Sequence, residues 1–292
     1  MPWRDPAGRF SPFKLAVFLL LFVPAMIVGY RYLFGLLGAR PTNQAIHEIG
    51  NWSLRLILLS MAVTPARRIL RWVKVLQVRR MIGVAAFAYV AVHFVLYVAS
   101  ESFDLGKVAT EIALRIYLTI GFIALLILMA MAITSTDGML RRMGGKNWRR
   151  LHRFVYLAGI LAVVHFFMQT KANVNEPWVM AGLFAWLMCW RALNWIGWYE
   201  GRLAEWWPLL LALVATAITA IGETIYYGIK LGVDPMRVLE ANLVLAQAPR
   251  PAVVVLGICL GVAAIAAGRQ LAMKMAWPQW LAPLGAAPSK RR

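Results

Sequence analysis

The sequence predicts an all-α integral membrane bundle, and three observations carry that prediction. Apolar runs recur along the whole chain, which is 61% hydrophobic and 15% charged over 292 residues, with a mean hydropathy of +0.67; soluble domains balance such runs against a polar face. The runs are about 20 residues long, the length at which a helix crosses a hydrocarbon core of roughly 30 Å. Basic residues gather in alternate connectors, as they do where charge fixes topology. Helices follow because lipid offers no partner to backbone N–H and C=O groups.

Eight spans are expected. The first, 14–37, reads KLAVFLLLFVPAMIVGYRYLFGLL after Arg4, Arg9 and Lys14. It starts like a signal peptide, but its apolar part is too long and lacks an A-x-A site, so it is read as a retained span. The others are 47–64, 81–100, 114–134, 151–169, 177–197, 206–228 and 251–270. Connectors 64–80 and 135–153 hold six Lys/Arg each, the first with no acid. Connectors 101–113 and 170–176 hold one Lys each, beside Glu101, Asp104 and Glu111 or Glu176. The positive-inside rule puts the basic connectors and both termini, including Lys290, Arg291 and Arg292, in the cytoplasm. Trp148, Trp178, Trp186, Trp206 and Trp207 lie mostly near span ends and are read as interfacial anchors. Prolines in 233–251 indicate an outer loop with one short helix. The organisation is thus a cytoplasmic N-terminus at 1–13, a six-span core at 14–200, and an extension at 201–292 with two further spans.

Several functions are excluded. The net charge of +19 invites a nucleic-acid partner, but no soluble basic face or recognition module accompanies it. The stretch RRMGGKNW fails the phosphate-loop pattern, because Leu140 stands where the first Gly belongs and Asn147 follows Lys146. It reads as a tight turn. No G-x-G-x-x-G follows a strand, so no dinucleotide-binding domain is built in. Cys189 and Cys259 lie in apolar runs without a C-x-x-C-H, which excludes covalent haem attachment and leaves two inert thiols.

The histidines carry the chemistry. Polar groups within a span are functional suspects. His93 lies about twelve residues into span three and His165 about fourteen into span five, so both stand roughly 18–21 Å from the basic face. Two imidazoles at one height can bind the iron of one haem from both sides. The bland alternative is an interhelical hydrogen bond, with Tyr89 and Tyr97 one turn from His93 as partners. Spacing leaves both readings open. His152 stands thirteen residues before His165, about 20 Å and roughly 220° away on a straight helix, so the two cannot hold one iron. No histidine shares its height, since His47 is at the outer end of span two. Its partner in a second haem would be a methionine such as Met81 or Met143, water, or nothing; otherwise it lies beside a flavin or quinone.

The stretches TPARR, VRRMIGVAAFAYVAVHFVLYV, RIYLTIGFIALLILMAMAITST and WRRLHRFVYLAGILAVVHF resemble the bacterial MsrQ (YedZ) family, over about residues 10–200. That family belongs to the ferric-reductase-like transmembrane group, related to the membrane part of NADPH oxidases. The resemblance implies a b-type haem (one, or two if His152 holds a second), an FMN, and residence in the bacterial inner membrane. It implies electron delivery to a periplasmic molybdopterin enzyme that reduces methionine sulfoxide in oxidised proteins. It carries the ligand role to His93 and His165, and with less support to His152; His47 also falls where the family tends to have a histidine. Arg79, Arg80, Lys146, Arg149 and Arg150 are the candidates for the FMN phosphate, against a simple topology role. The expected protein is an electron-transfer subunit without a substrate site of its own, supplied by quinol or a cytoplasmic flavin reductase. Its rivals are a metal-ion (ferric) reductase component, which would ordinarily carry its own flavin and nicotinamide domain, and a non-redox transporter or assembly subunit.

Overall fold

A computed structural model describes residues 3–4, 8–170, 173–196, 207–242 and 249–276. Trp206 and the basic tail Lys290–Arg292 lie outside them, as does the boundary expected near residue 200. Among the described residues the chain is helical, apart from one bridge between Arg4 and Phe10.

The first expected span is two helices, α1 (Pro12–Leu20) and α2 (Val23–Leu33). Pro24 explains the break: it has no N–H to give the preceding turn and sits in the first turn of a new helix. Helix α3 (Pro41–Ile69) then runs through Pro65, past the predicted end at 64. Pro65 cannot donate to the carbonyl of Met61, and the Arg191 guanidinium takes that carbonyl instead, at 2.7 Å. Arg71 turns the chain at φ 49°, and a 3-10 helix (Val73–Val78) leads into α4 (Arg79–Ser100).

Connector 101–113 holds a helix that the sequence reading missed, α5 (Leu105–Leu114), capped by Asp104, which accepts from the Lys107 N–H at 2.9 Å. There follow α6 (Ile116–Ile133), α7 (Asp137–His152), α8 (Val155–Gln169) and α9 (Asn175–Trp195). The expected turn in RRMGGKNW is present: Gly144, at φ 73°, kinks α7 where a residue with a Cβ would be strained. The extension forms α10 (Trp207–Leu231), the short α11 (Pro235–Ala241) predicted in the outer loop, and α12 (Pro251–Ala276).

Six segments are long and apolar enough to cross a membrane: 12–33, 73–100, 116–133, 137–169, 207–231 and 251–269. They fit a multi-pass membrane protein. The other two expected spans are α3 and α9, long enough at 29 and 21 residues but more polar, with His47, Glu48, Asn51 and Arg55 on one and Glu176, Arg191 and Asn194 on the other. Their polar groups find each other: Glu176 accepts from Asn51 and Arg55, and Arg68 pairs with Asn194. Interior helices tolerate such residues because protein, not lipid, surrounds them. Helix α3 packs against α2, α4, α8 and α9 and supplies much of the core.

The acidic end of the bundle is tied by Arg31–Glu48 and Lys107–Glu101, both 2.6 Å, and by Arg115–Glu111 at 2.5 Å. Helices α10 and α12 dock on α9, where Gly182 lets Thr219 and Val255 close in and Gly222 receives the Trp178 ring. Trp186 is buried in the core, and Trp148 donates to the Thr134 carbonyl at 2.9 Å. These three tryptophans are packing residues rather than the anchors their position suggested.

Candidate functional site

Among the described residues, two cavities adjoin the histidines. The distal one, toward the acidic end, has about 1020 Å³ of empty space and is walled by α3, α4, α5, α6 and α8. His93 and His165 face each other across it, with ring centroids 6.3 Å apart and planes at 87°. The spacing argument placed them at one height, and the structure brings them together.

Each ring is held in the same way. His93 Nδ1 lies 2.8 Å from the Ile46 carbonyl oxygen, and His165 Nδ1 lies 2.8 Å from that of Tyr117. A carbonyl only accepts, so Nδ1 carries the proton in both rings and Nε2 keeps its lone pair. Four residues after each accepting carbonyl stands a glycine, Gly50 on α3 and Gly121 on α6. A Cβ on either would lie 2.9 Å from its histidine's Nδ1. The glycines therefore let the rings lie against the neighbouring helix, close enough to share a carbonyl that already serves the helix ladder. Sequence reasoning missed both, because nothing along the chain says which histidine faces which glycine.

The alternative of tyrosine partners for His93 is not how the structure satisfies it. Tyr89 donates to the Leu21 carbonyl at 2.7 Å and accepts from the Ala25 N–H at 3.0 Å, stapling α4 to α1 and α2. Tyr97 lines the cavity with its hydroxyl buried and unpartnered among the described residues. His47 is exposed at the cavity's distal rim.

The residues fit a haem. Two metal–nitrogen bonds of about 2 Å each, plus the two half-rings, come to roughly the observed separation of the rings. A second-shell carbonyl on Nδ1 is the usual device that fixes the tautomer of a metal-bound imidazole.

The second cavity, at the basic end, has about 990 Å³ of empty space. Ile57 and Leu128 line both cavities and form the partition between them. His152 lies here, apart from His165, and the helix breaks at Arg153 and Phe154 between the two. Its ring stacks on Trp148 at 3.8 Å and 22°. The Thr134 hydroxyl donates to the Ala130 carbonyl at 2.8 Å, so its 3.2 Å contact with His152 Nε2 is one in which it accepts. Nε2 is therefore already engaged, unlike in the distal pair. No second histidine lines this cavity; thirteen residues before His93, where His152 precedes His165 by the same interval, stands Arg80. Neither Met81 nor Met143 lines it, but Met61 and Met131 do.

Arg79 and Arg80 line the basic-end cavity, and Arg80 pairs with Asp137. Lys146, Arg149 and Arg150 are exposed on α7 and do not line it. Arg191, which the sequence reading passed over, does: it donates to the carbonyls of Leu187 (2.8 Å) and Met61 (2.7 Å) and to the Tyr156 hydroxyl (3.2 Å). A charged residue inside the apolar run WLMCWRALNW was the available signal. Among the described residues no carboxylate lines this cavity, so Arg79 and Arg191, beside the Arg80–Asp137 pair, make it cationic.

Comparison with known proteins adds the following. A family model described as ferric reductase like transmembrane component matches residues 49–163, which include His93 and His152. A protein-methionine-sulfoxide reductase heme-binding subunit MsrQ from Rhodospirillum rubrum is 41% identical over 186 residues, 63% of this chain and 87% of that protein. Its counterpart from Caulobacter vibrioides is 40% identical over 206 residues, 68% of this chain and 95% of that protein. One from Xanthomonas axonopodis pv. citri is 42% identical over 156 residues, covering 53% and 71%. No solved structure matches the chain.

Proposed function

From the premise that the chain belongs to the MsrQ family of protein-methionine-sulfoxide reductase heme-binding subunits, we propose that it is a membrane cytochrome b that carries electrons across the inner membrane to a periplasmic molybdopterin methionine-sulfoxide reductase. The observation that carries this reading is the opposed pair His93 and His165, each with Nδ1 tied to a carbonyl and Nε2 free to bind. These two residues hold one haem b in the distal cavity. When bound, that haem supplies a one-electron carrier whose potential the ligands and the apolar walls set. The chain itself fixes the imidazoles, excludes water with Ile57, Leu128 and their neighbours, and leaves the sulfoxide chemistry to the partner.

With the basic end in the cytoplasm, electrons enter from quinol or a cytoplasmic flavin reductase at the second cavity. That cavity suits an FMN better than a second haem. His152 has its Nε2 engaged and no histidine opposite, while Arg79, with Arg80 beside it in its pair with Asp137, gives the wall a cation for a phosphate. Lys146, Arg149 and Arg150 are left to topology.

The test is spectroscopic. Purified protein should be red, with a Soret band that shifts on reduction, and His93→Ala or His165→Ala should abolish the band. In vesicles, a quinol-reduced haem should reoxidise when the periplasmic reductase and methionine sulfoxide are supplied together. A colourless, fully folded preparation would end the cytochrome reading.

A further inference from the structure

The distal cavity has its uncommitted polar groups at one end, because Asn51 and Ser53, which also line it, already donate to Glu176 and to the Gly50 carbonyl. Val90, Leu125 and Leu128 wall its inner part, whereas His47, Tyr97 and Gln169 gather at the end away from the basic connectors. Two of these stand in register with the proposed ligands. Tyr97 follows His93 by four residues on α4, and Gln169 follows His165 by four on α8, so each lies one turn farther out along the same helix face.

Tyr97 is the informative one. Its hydroxyl is buried without a hydrogen-bond partner among the described residues, whereas Tyr89, one turn inward of His93, has two. The nearest carboxylates do not serve it: Glu101 is held by Lys107 and Glu111 by Arg115. A buried O–H left unmade is costly, and an anionic oxygen in the cavity is its strongest available acceptor. A haem b carries two carboxylates on one edge of its ring. Turned inward, they would meet Val90, Leu125, Leu128 and a Ser53 hydroxyl already given to the Gly50 carbonyl, at a large desolvation cost.

We infer that the haem's carboxylate edge points to the distal end, with the Tyr97 hydroxyl donating to one carboxylate and the Gln169 amide to the other. The inference rests on the reading that His93 and His165 hold haem, and it sets the ring edge that faces the electron acceptor.

The test uses the full chain, produced haem-free in detergent and titrated with ferric haem b or with its dimethyl ester while the Soret band is followed. Wild-type protein should bind the ester more weakly than haem. Tyr97→Phe should weaken haem binding by about tenfold, the worth of a hydrogen bond to a charged group, and leave the ester's affinity unchanged. Tyr89→Phe should leave the haem-to-ester ratio at its wild-type value. Should Tyr97→Phe fail to fold, Gln169→Leu reads the same ratio. Equal weakening of both ligands by Tyr97→Phe, or an unaltered ratio, overturns the inference. Wild-type protein that forms no Soret band with either ligand overturns the haem reading itself, so the two failures are distinguishable.

Discussion

For a histidine to present Nε2 to a cavity, its other nitrogen must hold a proton and have an acceptor for it. Ile46 and Tyr117 supply the acceptors, and Gly50 and Gly121 supply the room. This makes the glycines testable. Gly50→Ala puts a Cβ 2.9 Å from His93 Nδ1, so the ring must turn or α3 and α4 must part. Either movement lengthens the Nδ1–carbonyl bond, and the variant should hold less haem per protein, with a displaced Soret maximum. Gly121→Ala should do the same through His165. Gly29→Ala, with nothing within 4 Å of the added Cβ, should leave haem content unchanged. The histidines themselves were legible in the sequence because an imidazole in an apolar run is conspicuous and helix rise converts spacing into height. Their glycine and carbonyl partners were not, because they depend on how two helices are rotated against each other.

Among the elements, the hairpin of α10 and α12 rests on one buried charge. Glu223 is 0% exposed and accepts from Arg250 at 2.7 Å and from Asn242 at 3.1 Å. Replacing it by Ala strands the Arg250 guanidinium, and breaking a buried pair from one side costs about 3–5 kcal/mol. Glu223→Ala should therefore lower the thermal midpoint of the detergent-solubilised protein, and its Soret band should survive, because the hairpin docks on α9 while the histidines lie on α4 and α8. Element boundaries were less legible than element existence. Pro24 splits the first span and Pro65 does not end α3, although both are prolines in apolar helical sequence. The difference lies in Arg191, 126 positions after Pro65, which satisfies the carbonyl that Pro65 leaves free. No local pattern contains that residue. Helix α5 was readable from Asp104 and the capped turn after it, but its acidic residues drew attention to topology instead.

At the scale of the whole molecule, the helices sort by what surrounds them. Six segments are long and apolar enough to cross a membrane on their own, while the more polar α3 and α9 pair their polar groups with each other and α3 lines both cavities. The basic connectors lie at one end of this bundle and the tied carboxylates Glu48, Glu101 and Glu111 at the other, so the charge asymmetry has a single direction. A cysteine placed at position 8 should thus be shielded from a membrane-impermeant maleimide in intact cells and labelled only after lysis, and one at position 106, in α5, should be labelled in both. The extension adds a last test. The relatives from Rhodospirillum rubrum and Caulobacter vibrioides match 63% and 68% of this chain while using 87% and 95% of their own length, so about a third of this chain lies outside each match. Ending the chain at residue 200 should keep the haem and its Soret band, since no described residue beyond Arg191 lines either cavity. The same truncation bares the α9 face at Gly182 and Trp178, which Thr219, Val255 and Gly222 now cover. The shortened protein should therefore bind haem with unchanged affinity yet lose monodispersity in detergent sooner on warming; loss of the Soret band would instead tie the extension to the haem site.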